Sequence, residues 1–120
     1  MLKQASPTLH VADMRRTLAF FEKSLGFRCT FKVDDDLHSA IPYAIVARDQ
    51  VAIHLQLSAQ AAGTSSCYIT VDDAESVWAE VQRAGARVTR PIENSGYGMR
   101  DFNIADPDGN TLGFGQKVDA

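Results

Sequence analysis

Cysteine is nearly absent from this 120-residue chain: Cys29 and Cys67 are the only two, each inside an apolar, alternating stretch. Two cysteines are too few for a scaffold of several disulfides, and they read as buried free thiols in a reducing compartment in preference to one disulfide between them. Long hydrophobic runs are missing too. No apolar stretch approaches the ~18 residues of a membrane span, and Met1-Leu2-Lys3-Gln4 carries no signal-type apolar core. A cytoplasmic protein that does not enter membranes is expected. An excess of basic charge is also lacking: 12 Lys and Arg against 15 Asp and Glu give a net charge of −3, so nothing electrostatic draws the chain to nucleic acid. The remaining composition, 45% hydrophobic and 22% charged, is that of a globular protein, and the length suits one domain with a real core.

What the sequence does have is a repeat. Val11-Ala12-Asp13 opens one amphipathic stretch and Val71-Asp72-Asp73 opens another, 60 residues later, half the chain length. The apolar positions that follow correspond: Met14 with Ala74, Leu18 with Trp78, Phe21 with Val81, Leu25 with Ala84, and then Gly26 and Gly85. Asp13 and Asp73 read as N-caps, because a carboxylate there accepts from the free amides of the first turn and favours the positive helix end. Helical spacing follows each Asp and a glycine stops it. The first copy reads as a strand over 5–11, a helix to Leu25, a strand over 27–33 with Phe27, Cys29, Phe31 and Val33 on one face, and strands over 43–48 and 51–57. A small, polar linker spans 59–65. The second copy reads as a strand over 66–71, a helix over 74–84, a short strand near 86–90, a glycine-containing loop over 93–98, and strands over 101–105 and 111–117 joined by the turn Asp106-Pro107-Asp108-Gly109-Asn110. The expectation is an α+β fold of two modules related by pseudo-twofold symmetry, about 1–58 and 66–120.

Alternation sorts the strand residues into two faces. Leu9, Val11, Ile53, Leu55, Leu57, Cys67, Ile69, Val71, Leu112 and Phe114 share the apolar face and should meet the helices. Ser6, Thr8, His10, Ala52, His54, Gln56, Ser66, Tyr68, Thr70, Thr111, Gly113 and Gly115 share the other. That second face is small, polar and roomy. In a curved sheet it lines a cup; in a flat one it is simply solvated.

The openings at Leu9-His10-Val11-Ala12-Asp13 and Val71-Asp72-Asp73, with Phe20-Phe21, Leu25-Gly26-Phe27 and Asp106-Pro107-Asp108-Gly109-Asn110, resemble the vicinal oxygen chelate superfamily, also known as the glyoxalase/bleomycin resistance/dioxygenase group. The resemblance spans the whole chain. It implies paired βαβββ modules that each fold a sheet into half of a cup, usually in a dimer. Many members hold a divalent metal in the cup and others bind a drug without one. The metal positions of the family fall here on Ser6, Ser66, about His54, and Gly113, so one of the four carries a ligand-type side chain. A catalytic divalent site needs about three protein ligands, so no metal and no cofactor is expected.

The segment Tyr97-Gly98-Met99-Arg100-Asp101-Phe102 is similar to the aromatic-Gly-Met-Arg-acidic-Phe segment of the bleomycin-resistance branch, in which the loop aromatic borders a drug-binding groove. The resemblance implies that Tyr97, Met99 and Arg100 belong to a ligand site; a plain Arg100–Asp101 pair at a strand start would also explain two of them. His54 is a candidate as a pocket wall or a surface histidine, Tyr68 as a ligand contact or a filler of the cup floor, Gly113 as a cleared space or a point of strand curvature, and Asp35 and Asp36 as an acidic rim favouring a cationic aromatic drug or a merely solvated loop. The expected function is non-catalytic sequestration of a small molecule by a homodimer. The alternative is a metal-dependent lyase, dioxygenase or thiol transferase with ligands drawn from His10 and His54. A metal-free enzyme with His54 as general base is a third class.

Overall fold

The computed structural model describes residues 1–33 and 40–118. The first module comprises β1 (Thr8–Val11), α1 (Met14–Ser24), β2 (Arg28–Lys32), β3 (Tyr43–Arg48) and β4 (Val51–Leu57). The second comprises β5 (Ser66–Thr70), α2 (Ala74–Arg83), β6 (Arg87–Asn94), β7 (Met99–Ala105) and β8 (Thr111–Lys117). The two sheets have the same topology: β1-β4-β3-β2 and β5-β8-β7-β6. In each, the first strand pairs in parallel with the last, and the other pairings are antiparallel. The repeat in the sequence is thus a repeat of the βαβββ fold.

The helices form where the spacing places them. Asp13 accepts from the Arg16 amide and Asp73 from the Ser76 amide, each at 3.2 Å. Gly26 and Gly85 take φ of +67° and +75°, the left-handed conformation that ends a helix at little cost only for glycine. Met14, Leu18 and Phe21 of α1 and Val81 of α2 are buried in one cluster with Leu9, Ile53, Leu55, Ile69, Leu112 and Phe114. Trp78 packs edge-on against Phe102, which stacks on Phe114. The apolar face read from the sequence is the face under the helices.

Two local readings change. A bulge between Cys29 and Phe31 inverts the alternation of β2. Phe27 is buried and Cys29 packs against the core, whereas Phe31 turns to the opposite face, 51% exposed. The strand expected near 86–90 runs on to Asn94, through register shifts on either side of Arg90. Pro91 is tolerated because β6 is an edge strand and has no ladder bond to lose there.

The modules are joined by specific polar contacts. Asn110, wholly buried, donates to the His10 carbonyl at 2.8 Å and accepts from the Ser65 amide at 2.8 Å. Asp106 accepts from the backbone amides of Asp108 and Asn110 and from the Asn110 side chain. Asp108 accepts from the Ala12 amide and pairs with Arg16 at 2.7 Å. At the far ends of the helices, Arg48 donates to the Leu25 carbonyl and forks onto both oxygens of Glu80. The Glu80 contact raises the Arg48 pKa despite the opposing effect of burial.

Candidate functional site

The sheet faces turned away from the helices are chemically different in the two modules. In the second module, β5 sends Tyr68 across β8 to β7. The Tyr68 hydroxyl donates to Asp101 Oδ2 at 2.9 Å, and Arg90 of β6 donates to Asp101 Oδ1 at 2.6 Å. Arg90 also reaches Glu93 at 3.1 Å. Asp101 is 0% exposed, and both of its oxygens are occupied. Tyr68 itself stays 49% exposed. Burial of its hydroxyl, reinforced by the bond to Asp101, pushes the Tyr68 pKa up to about 12, so the phenol is neutral at ordinary pH. Tyr97 stands on the turn between β6 and β7, flanked by Gly96 and Gly98 and 76% exposed. That turn is closed by Ser95, whose amide and hydroxyl both donate to the Met99 carbonyl. Tyr97 is near enough to Tyr68 to disfavour its ionisation further.

The first module presents an aromatic stripe instead. Phe31, Tyr43 and His54 meet edge to face on adjacent strands, with centroids 6.2 Å and 5.7 Å apart, and the Tyr43 hydroxyl is hydrogen-bonded to His54 Nδ1. Ile45 pairs with His54 and lies on the same face. His10 Nδ1 is 3.2 Å from the Ser65 hydroxyl. The two histidines of the described residues therefore turn to different partners.

A cleft of about 530 Å³ lies elsewhere, on the helix side, between the β3–β4 turn and the start of α2. Phe27, Val51, Val71, Val77 and Phe114 line it, but its polar groups already have structural duties: Asp73 caps α2 and Arg48 binds Glu80. The open sheet faces, with unsatisfied aromatic surface, are the stronger candidate for ligand binding.

The sequence model of the Glyoxalase/Bleomycin resistance protein/Dioxygenase superfamily matches residues 3–114. The chain belongs to this superfamily. The bleomycin resistance protein of Geobacillus stearothermophilus is 24% identical over 135 residues, taking in 96% of this chain and 97% of that relative. The crystal structure of a bleomycin-binding protein complexed with bleomycin superposes with a TM-score of 0.81 at 24% identity, covering 97% of this chain and 99% of the other. The bleomycin-binding protein of Streptomyces verticillus, complexed with copper(II)-bleomycin, does so with a TM-score of 0.76 at 26% identity, over 100% of both chains.

Many members of the superfamily carry a metal, and the residues here do not fit one. Ser6 and Ser66 replace nitrogen or amide ligands, and the space a ligand would fill at Gly113 is taken by the Tyr68 ring. His54 is engaged by Tyr43 and His10 by Ser65. Among the described residues, no group of three or more His, Cys, Asp or Glu side chains converges.

The candidate residues named from the sequence are thus distributed as follows. Tyr68, Gly113, Met99 and Tyr97 gather on or beside one face of the second module, and His54 stands on the corresponding face of the first. Arg100 is on the other side of β7: it pairs in register with Gln116, whose side chain accepts from the Ala74 amide at the start of α2. Its guanidinium binds Glu75 and Asn94, not Asp101. Strand alternation carries it there, where it braces the start of α2. Asp35 and Asp36 lie outside the described residues. Sequence reasoning missed Arg90 and the Phe31–Tyr43 pair. Alternation around Asn103 and Asp101 could have found the face, but the register shifts in β6 and the bulge in β2 hid these partners.

Proposed function

We propose that this chain is a non-catalytic binding protein that sequesters a bleomycin-type antibiotic, or a drug with a similar planar aromatic group, in the cytoplasm. The observation that carries the reading is the pair of exposed aromatic rings, Tyr68 on the open sheet face and Tyr97 on the adjoining turn, with no reacting constellation around them among the described residues. Burial drives the Cys67 pKa up to about 11, and the thiol faces the core, so it offers no nucleophile. The names of the relatives and the drug complexes of similar structures support the same reading. No feature of the described site favours metal-dependent chemistry drawn from His10 and His54.

The ligand crevice is completed by a second copy of the chain. Phe31, Tyr68 and Tyr97 are too exposed to be finished surface, and a twofold dimer covers both faces at once. Tyr97 supplies a stacking ring at the mouth, Tyr68 a floor, and His54 and Met99 the walls. A preference for a cationic ligand rests on the Asp35 and Asp36 region and on the one net negative charge left where Arg90 meets both Asp101 and Glu93. Calorimetric titration with metal-free bleomycin tests the assignment. Tyr97→Ala is expected to weaken binding by about 1 kcal/mol or more. An unchanged affinity would remove Tyr97 from the site.

A further inference from the structure

We propose that Asp101, backed by Arg90, is a positioning residue that presents the Tyr68 ring as a fixed stacking plane for a planar aromatic ligand, in a trough kept open by Gly113 and Gly115. The inference rests on the binding reading above and specifies how its floor is built.

The glycines are the first argument. Tyr68 pairs with Gly113 in the parallel β5–β8 register, and Gly115 lies two residues on. A Cβ at Gly113 would stand 2.9 Å from Tyr68 Cδ1 and 3.0 Å from Asn103 Oδ1. A Cβ at Gly115 would stand 1.7 Å from the Tyr68 hydroxyl oxygen and 2.5 Å from Cζ. The ring therefore runs across β8, in the space two side chains would otherwise fill. Neither glycine is among those with positive φ, so backbone conformation does not explain them. Room for the ring does.

The hydrogen bonds are the second argument. Asp101 sits directly across from Gly115 in the β7–β8 register, where it meets the far end of the ring. The ring is thus fixed at its Cβ on β5 and at its hydroxyl on β7. Asp101 is held in turn by Arg90, and Arg90 by Glu93. With its ring over the glycine trough, Tyr68 still stays 49% exposed. A plane already fixed before binding loses little freedom when a ligand stacks on it. Because the phenol keeps its proton, the ring itself is uncharged and selects flat aromatic groups by shape.

The test combines ring-current shifts in the free protein with a mutant cycle, using metal-free bleomycin as the probe. In the ligand-free wild type, the α protons of Gly113 and Gly115 should be shifted upfield by the overlying ring. Tyr68→Phe, which loses the bond to Asp101, should reduce that shift and Tyr68→Ala abolish it. Tyr68→Ala and Gly115→Ala should each weaken bleomycin binding about tenfold. The double variant should be no worse than Tyr68→Ala alone, because the alanine acts only by displacing the ring. Asp101→Asn, which keeps the shape of a buried side chain, should weaken binding in the wild type but not in the Tyr68→Ala background. Unshifted α protons, or a Gly115→Ala loss that persists undiminished without Tyr68, would overturn the proposal. Shifted α protons in a wild type that binds no bleomycin would support the fixed ring and overturn the sequestration reading instead.

Discussion

The Tyr68 hydroxyl donates a hydrogen bond to Asp101, and desolvation together with that bond raises its pKa to about 12. A tyrosine ordinarily ionises near pH ~10. The folded protein holds the proton more tightly than the unfolded chain, so this group's stabilising effect is complete below the unfolded value and is lost as pH rises through the folded one. An absorbance titration should therefore show a tyrosine step centred near pH 12 in the wild type, and Tyr68→Phe should lack that step. Asp101→Asn should move it towards lower pH by removing the acceptor charge. A wild type with no late step would mean that the Tyr68–Asp101 bond does not persist in solution. At this scale the sequence was half legible. The face shared by Tyr68 and Gly113 follows from alternation alone. That Gly113 and Gly115 make room for a tyrosine, and not for curvature or for a ligand, depends on the neighbouring strand, which no local pattern reveals.

The turn at 106–110 shows the same division at the scale of elements. Its composition announces a hairpin, and β7 and β8 are indeed joined there. Its side chains do more than turn the chain, because Asn110 and Asp108 reach back to His10, Ala12 and Arg16 of the first module. Contacts across about 100 residues of sequence leave no periodic trace, so the clamp could be found only in three dimensions. Asn110→Ala strands the Ser65 amide and the His10 carbonyl in a buried setting. It should cost about 3 kcal/mol by urea unfolding, the usual toll of unsatisfied buried groups. A loss under about 1 kcal/mol would show that the clamp contributes little. The helices, by contrast, were fully legible. Their caps, apolar stripes and terminal glycines are local signals, and the structure places each of them at the expected end. The β2 bulge is the counterexample, since Phe27 to Val33 alternates without a break and the inversion at Phe31 comes from its pairing with β3.

For the whole molecule, two sheets with separate open faces leave aromatic rings in water unless another surface meets them. Sedimentation at micromolar concentration should give about twice the mass of the chain, the commonest symmetric assembly. A monomer would leave the proposed crevice without its second wall. The broad architecture was legible because a repeat at half the chain length specifies two equal modules. The difference between their outer faces, aromatic in one and polar with a single pinned ring in the other, was not, since it rests on β2, β3 and β6, whose partners the sequence does not name. On the proposed function, these faces hold a drug and leave it unchanged. The direct measurement is calorimetric titration with metal-free bleomycin, followed by mass spectrometry of the recovered compound. Saturable binding and recovery of the drug at its original mass are expected. No binding heat at any concentration tested, or a recovered product of altered mass, would contradict that function.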